Sequence, residues 1–215
     1  MIKLNKLLVI IICCSIVYAP INALAERSEN VKEDCYTQAV VDFKFELRRL
    51  WIDHTWWTRN VIISLLAGLD DKEKALERLL QNQVDIGNAI KPYYGEQAGD
   101  ELSKLLTEHI LIAGKIIDAA KREDKTEFEK YNIEWYKNAD DIASFLSNAN
   151  PNWSEEELQD LLYTHLKLTA DEVIARLKQD WEADIAAFDE GEDHIIKLAD
   201  ALSVGIIEQF PDKFK

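Results

Sequence analysis

Apolar residues recur at spacings of three and four along nearly the whole chain, from about Val31 to Phe210. That period places them on one face of an α-helix, and the alternation expected of a half-buried strand is absent. The chain has only seven Gly in 215 residues, whereas α/β enzymes use glycine in phosphate loops and tight strand–helix turns. The sequence therefore predicts an all-α protein and argues against an α/β enzyme.

Breaks in this pattern divide the chain into six predicted helices. They lie near residues 33–67, 71–91, 97–122, 125–148, 154–179 and 181–209. Prolines, capping boxes and one glycine after a helix end mark the breaks: Pro92, Pro151, Pro211, Asp70 with Glu73, Ser154 with Glu157, and Gly68. These residue types favour helix starts and stops for specific backbone reasons.

The six predicted helices resemble three copies of one helical hairpin. His54, His109 and His165 are separated by 55 and 56 residues, and each follows an apolar pair. In the second helices the positions Asn82, Asn138 and His194 are each 56 residues apart. A period of this size is typical of a duplicated helical hairpin, although amphipathic helices can also resemble one another by chance. We expect a six-helix bundle of three repeated hairpins with a period of about 56 residues, near 33–91, 97–148 and 154–209.

The histidines are the candidate site. Residues four before, three after and four after each first-helix His share its face, which is mostly apolar, so these side chains should point into the core. Imidazoles between facing helices can bind Zn, Cu, Ni or Fe. The proposed ligands are His54, His109, His165 and His194, with a second layer of Asn82, Asn138, Asp85 and Asp141. The chain has neither the paired Glu-x-x-His motifs of di-iron bundles nor a His-Glu-x-x-His motif.

Other readings of these residues stay open. Each His could be a core residue that hydrogen-bonds across the bundle, and Asn82, Asn138 and His194 could form a polar layer that fixes helix register. Six Trp also suggest a flat apolar ligand such as haem beside a His. Carboxylates such as Glu172 lie near His in the sequence, but no Gly-x-Ser-x-Gly hydrolase motif accompanies them.

Charge and the first 25 residues indicate the compartment. The formal charge of −15 argues against nucleic acid and anionic membranes as partners. Lys3 and Lys6, an apolar run over 7–18 and Ala23-Leu24-Ala25 form the pattern of a signal peptide cleaved after Ala25. We therefore expect residues 26–215 to be a single secreted or cell-surface domain without a stable transmembrane anchor. The apolar run is short for the alternative, an uncleaved membrane anchor.

Four segments resemble a family of uncharacterised proteins from spore-forming Gram-positive bacteria. They are Leu50–Arg59, Asn88–Gly95, Trp135–Asp140 and Asn150–Glu156, and the similarity runs from about residue 40 to 210. Members sometimes carry the labels acetylglutamate kinase or glycosyltransferase, and the resemblance implies no catalytic residues. A kinase label conflicts with the scattered single glycines here, because nucleotide phosphates need glycine-rich loops.

The sequence predicts an exported, non-enzymatic helical bundle with a binding or structural role. Its partner would be an unknown protein or small ligand, and we expect no nucleic acid. The alternative is a metal-binding or metal-dependent protein that uses the core histidines.

Overall fold

Six α-helices and one short 3₁₀ helix make up residues 36–215, the part of the chain that the computed structural model describes. The α-helices are α1 (Gln38–Ala67), α2 (Lys72–Tyr94), α3 (Glu96–Lys121), α4 (Lys125–Ala149), α5 (Glu155–Leu177) and α6 (Trp181–Gln209), and the 3₁₀ helix is Pro211–Phe214. These residues contain no strand, so the all-α prediction is confirmed. The predicted signal peptide, residues 1–25, and the predicted start of the first helix near residue 33 lie outside the described residues.

Two of the predicted helix boundaries have the expected chemistry. At the start of α5, the Ser154 side chain accepts a hydrogen bond from the backbone N–H of Glu157. At the end of α1, Gly68 adopts a φ of +67° and its N–H donates to the Ser64 carbonyl. Both residues satisfy backbone groups that a helix end otherwise leaves unpaired.

Two boundary predictions were wrong. Helix α2 begins after Asp71 and not at an Asp70 capping box, and the Asp71 side chain makes no capping hydrogen bond. Pro92 was expected to break this helix but lies inside it, and α2 continues to Tyr94. In the last helical turn a proline removes only one backbone hydrogen bond, and Gly95, with a φ of +85°, provides the actual stop.

The helices form a closed ring. Each packs against its neighbours in sequence, and α1 also packs against α6. One large hydrophobic core runs along the axis, and two smaller clusters around Val61 and Ile62 fill the end near the second half of α1. Each fully buried Leu or Ile contributes about 1.5–3 kcal/mol. The ring therefore presents core positions of α1, α3 and α5 to a shared interior.

The two ends of the described chain meet at one end of the bundle. Phe214 packs against Phe43 and stacks on Tyr93, with ring centroids 5.1 and 5.5 Å apart. The Thr37 hydroxyl donates to the Phe214 carbonyl. The 3₁₀ helix thus fastens the C-terminus to the start of α1. Within residues 36–215, no helix carries an apolar stretch long enough to cross a bilayer.

Candidate functional site

Three imidazoles lie side by side in the core. His54 of α1, His109 of α3 and His165 of α5 are 1, 3 and 5 % exposed, so the prediction that they face the core is confirmed. The ring centroid of His165 lies 5.4 Å from that of His54 and 6.1 Å from that of His109. We call these three residues the histidine layer.

Burial keeps the histidine layer neutral. It lowers the pKa of His54 to about 3, an effect to which the neighbouring His109 adds and which Gln83 opposes. Burial likewise lowers the pKa of His109 to about 4, although the hydrogen bond with Asn138 favours its charged form. The pKa of His165 lies well below its usual value because of burial and the three other histidines. Neutral imidazoles keep one ring nitrogen unprotonated in each ring.

The Asn138 amide selects the tautomer of His109. The Gln83 amide lies near His54. Asn138 donates its Nδ2 to the Leu105 carbonyl, so its Oδ1, 2.7 Å from His109 Nδ1, accepts the imidazole proton. Gln83 donates its Nε2 to the Leu79 carbonyl. Its Oε1 and His54 Nδ1 are both buried without a well-formed hydrogen bond, yet Gln83 still favours the protonated His54. A proton on His109 Nδ1 leaves the Nε2 lone pair of that ring free.

The histidine layer is rich in unsatisfied polar atoms. Trp51 and Trp135 lie beside His54 and His109, with ring centroids 5.6 and 5.2 Å apart. Both indole N–H groups are buried without an acceptor, as are His54 Nδ1 and Gln83 Oε1 without partners. Each such group costs about 1–3 kcal/mol. The voids beside Trp51 and His165 are only about 20 and 10 Å³, which leaves no room for haem.

A second polar layer repeats one hydrogen bond three times. The side-chain nitrogens of Asn82, Asn138 and His194 lie 3.0, 3.1 and 2.7 Å from the carbonyl oxygens of Leu50, Leu105 and Leu161. Each of these carbonyls belongs to the residue four before a member of the histidine layer. The three second helices are therefore held in the same register against the three first helices.

Among the other predicted ligands, Asn138 hydrogen-bonds His109 of the histidine layer, and Asn82 bonds the Leu50 carbonyl. His194 Nε2 is occupied by the Leu161 carbonyl. Asp85 bonds Gln81 and lies 3.7 Å from Arg78, and Asp141 is exposed, so the expectation that these carboxylates form a second layer is wrong. Residues 36–215 contain no group of three or more His, Cys, Asp or Glu side chains placed to hold a metal ion.

A buried ion-pair cluster lies beyond the histidine layer. Arg59 Nη1 of α1 lies 2.6 Å from Glu172 of α5 and 3.0 Å from Asp184 of α6, and Arg176 Nη1 lies 2.7 Å from Asp184. Burial raises the pKa of Glu172 to about 7, against the lowering effect of Arg59. A small void joins Glu172 to His165 and Thr58. The cluster ties three helices together and places a carboxyl of raised pKa near the histidine layer.

An apolar cleft of about 520 Å³ opens between the ends of α1, α2, α3 and α4. We call it the α1–α4 cleft. Its apolar walls are Val61, Leu65, Leu76, Leu79, Ile110, Leu111, Ala113, Gly114, Ile117 and Tyr131. Lys115, Asp118, Arg122 and Glu127 form its polar edge. Thr58 lines both this cleft and the void beside His165, and it donates to the His54 carbonyl at 2.7 Å.

Sequence reasoning missed Arg59, Gln83 and the cleft. Gln83 follows Asn82 directly, and its position on the buried face was a usable signal. No sequence signal pointed to Arg59, because its partners Glu172 and Asp184 are 113 and 125 residues away in sequence. Comparison with protein-family models, with curated proteins and with solved structures finds no match. The resemblance of four sequence segments to an uncharacterised bacterial family therefore stays a prediction.

Proposed function

We propose that this chain is an exported, non-enzymatic binding protein that holds a small amphiphilic anion in the α1–α4 cleft. The observation that carries the proposal is the cleft itself. Its volume of about 520 Å³ lies within the range of about 300–1,000 Å³ for ligand pockets, which are mostly apolar with a few polar groups. Export rests on the signal-peptide pattern of residues 1–25.

The polar edge of the cleft suggests the head group of the ligand. Arg122 is already bonded to Asp118 and Glu127. Lys115 has its ammonium 5.2 Å from the ring centroid of Tyr131, so it is the cation best placed to meet an anion. The apolar body of the ligand would then lie on the walls formed by Leu76 and Leu111, which are half-buried and exposed.

A side chain can be introduced into the cleft at Gly114. A Cβ added at Gly114 meets no atom within 4 Å, so Gly114→Phe should fold and occupy the ligand space. Ala186 lies exposed on α6, outside the cleft, and Ala186→Phe is the control. We expect decanoate to bind the wild type and the control, and to bind Gly114→Phe at least about tenfold more weakly by titration calorimetry.

Lys115 tests the anionic head group separately. Lys115→Met should weaken decanoate binding by up to about fivefold because an exposed ion pair contributes up to about 1 kcal/mol. Decanol lacks the charge, so its binding should not change. Failure of the wild type to bind either ligand, or equal binding by Gly114→Phe, would contradict the proposal.

The repeated hairpin is part of the same proposal. We infer that α1–α2, α3–α4 and α5–α6 are copies of one unit. The equivalent hydrogen bonds from Asn82, Asn138 and His194 to Leu50, Leu105 and Leu161 support this inference. The copies would then have diverged beyond the histidine layer, where α5 carries Glu172 and the first two copies carry the cleft.

Metal binding is the second candidate, and the approach of three neutral imidazoles favours it. The Asn138 amide, bonded to His109 Nδ1, occupies the position of the groups that commonly orient metal-binding histidines. Small ring rotations would be needed to bring His54, His109 and His165 nitrogens to about 2.0–2.1 Å from one ion. The candidate ions are Zn, Cu, Ni and Fe. A site without carboxylates would bury the full charge of the ion without a counter-ion. Because an uncompensated buried charge is costly, such a site favours a metal ion of low charge.

Elemental analysis by mass spectrometry tests the metal candidate. Native protein without a tag, purified without chelator, should contain a stoichiometric transition metal that is lost in the His54/His109/His165→Ala variant. Because that variant could fail to fold, His109→Leu gives a second test. With a bound metal, it should lower thermal stability only in the absence of chelator. Absence of metal from a folded wild type, or equal effects of His109→Leu with and without chelator, would contradict metal binding.

A further inference from the structure

Negative charge is concentrated on the last two helices. Helices α5 and α6 together contain 14 Asp and Glu residues and three Lys and Arg residues. Helices α1–α4 contain 16 acidic and 14 basic residues. The strong negative charge of the protein is therefore a property of one side of the bundle, where it attracts cations from solution.

A groove runs along the seam between these two helices. Its volume is about 570 Å³. We call it the α5–α6 groove and define it by Glu157, Leu158, Asp160, Asp200, Val204 and Glu208. Val204 lies between Asp200 and Glu208 along α6 and is 40 % exposed. One cation, Lys197, also lines the groove. Apolar surface flanked by carboxylates on both sides is thus open to solvent within the described part of the chain.

Three of the groove carboxylates have no counter-ion in residues 36–215. Asp200 is held by Arg48, with Nη2 and Oδ2 2.6 Å apart. No Lys, Arg or His nitrogen of the described chain lies within 4.0 Å of the carboxylates of Glu157, Asp160 or Glu208. Free carboxylates beside an apolar strip match a ligand that carries positive charge and apolar groups together.

The length of the groove suits a helix. Asp200, Val204 and Glu208 are spaced by four residues along α6, so they extend over about 12 Å, or two helical turns. A helix laid along the seam would place basic residues at a spacing of three and four beside these carboxylates. Its apolar stripe would lie over Val204 and the half-buried Leu161. A small cation would engage only one end of this arrangement.

We propose that the α5–α6 groove binds a cationic amphipathic helix of a partner protein. Charge complementarity supplies the attraction and orients the partner, and the apolar floor supplies the surface buried on binding. The groove lies on different helices from the α1–α4 cleft, so this interaction does not depend on the ligand proposed above.

A model peptide tests the proposal on the full mature chain. The probe is an 18-residue Lys/Leu peptide with Leu at spacings of three and four, compared with a scrambled peptide of equal composition. Fluorescence anisotropy at 0.15 M salt should show tighter binding of the patterned peptide. The Glu157→Gln/Asp160→Asn/Glu208→Gln variant should weaken it about tenfold, since three partly exposed pairs at about 0.5 kcal/mol each amount to that ratio.

A matched variant separates the groove from general charge. Glu108→Gln/Glu129→Gln/Asp141→Asn removes three exposed carboxylates from α3 and α4 and should change binding less than about twofold. Carbodiimide cross-linking of the patterned peptide to the wild type should join its lysines to Glu157, Asp160 or Glu208. Equal weakening by the two triple variants, equal binding of the scrambled peptide, or cross-links confined to other carboxylates would overturn the proposal.

Discussion

Three buried imidazoles make the folded protein sensitive to acid. The pKa values of His54 and His109 are lowered to about 3 and about 4, and the pKa of His165 also lies well below its usual value. In the unfolded chain each returns to about 6.5. Below that pH the unfolded chain binds protons that the folded protein excludes, so acid favours unfolding.

Above about pH 6.5 these histidines should leave the free energy of unfolding unchanged. Below that pH the free energy of unfolding should fall by up to about 1.4 kcal/mol per pH unit for each histidine. Glu172, with its pKa raised to about 7, should offset one of the three, because its folded form takes up a proton more readily. Urea unfolding at several pH values from 7.5 to 5 measures the slope. His165→Leu should make it shallower, and an unchanged slope would contradict this account.

For single residues, the sequence predicted which side chains are buried better than it predicted their hydrogen-bond partners. The helical face of His54, His109 and His165 was enough to place them in the core. It could not show that Asn138 fixes the proton of His109 or that Gln83 faces His54, because such contacts depend on how two helices are rotated against each other. Asp85 and Asp141 failed as ligands for the same reason, since a small rotation turns a carboxylate from the core to solvent.

At the scale of the helix, close approach between α2 and α3 depends on two glycines. A Cβ added at Gly87 would lie 2.4 Å from the Gly99 carbonyl oxygen, and one added at Gly99 would lie 2.6 Å from that of Gly87. Backbone atoms cannot move aside as a flexible side chain can. Any larger residue at either position would have to push the two helices apart.

This geometry predicts opposite effects for chemically identical substitutions. Gly87→Ala should destabilise the protein by about 1–3 kcal/mol, because overpacking outweighs the higher helix propensity of alanine. Gly114→Ala, whose Cβ meets no atom within 4 Å, should stabilise it by about 0.5–1 kcal/mol. Chemical denaturation of the two variants gives the comparison. Equal effects would show that the α2–α3 crossing tolerates a methyl group.

The helices themselves could be predicted from sequence because their signals are local. Gly68 and Ser154 act through atoms within five residues, and both behaved as expected. Pro92 did not end its helix, since the chain could place it in the last turn, where one missing hydrogen bond costs little. The cleft could not be predicted, because it arises where four helix ends diverge.

On the scale of the whole molecule, ring closure brings the two ends of the described chain together. The hydrogen bond between Thr37 and the Phe214 carbonyl and the packing of Phe214 on Tyr93 mark this junction. Joining residue 215 to residue 36 with a short Gly/Ser linker should therefore preserve the fold of a circular permutant opened at a surface turn.

We expect a permutant opened between Lys178 and Gln179, in the α5–α6 turn, to keep its helical content and unfold cooperatively. The same construction opened between Glu108 and His109 should lose both, because it cuts α3 at the histidine layer. Circular dichroism during thermal unfolding distinguishes them. Loss of structure in the first permutant would mean that the α5–α6 turn, and not the joined ends, is needed to complete the ring.

The seam between α1 and α6 also determines how the bundle can form during synthesis. The Arg59–Asp184 contact joins residues 125 positions apart, so α1 emerges from the ribosome long before the helix that covers its flank. Contacts this distant in sequence form slowly, and the apolar surface waiting for them is exposed to aggregation. Helix α1 is thus among the last to be enclosed, and a nascent chain would need a chaperone most along that open side.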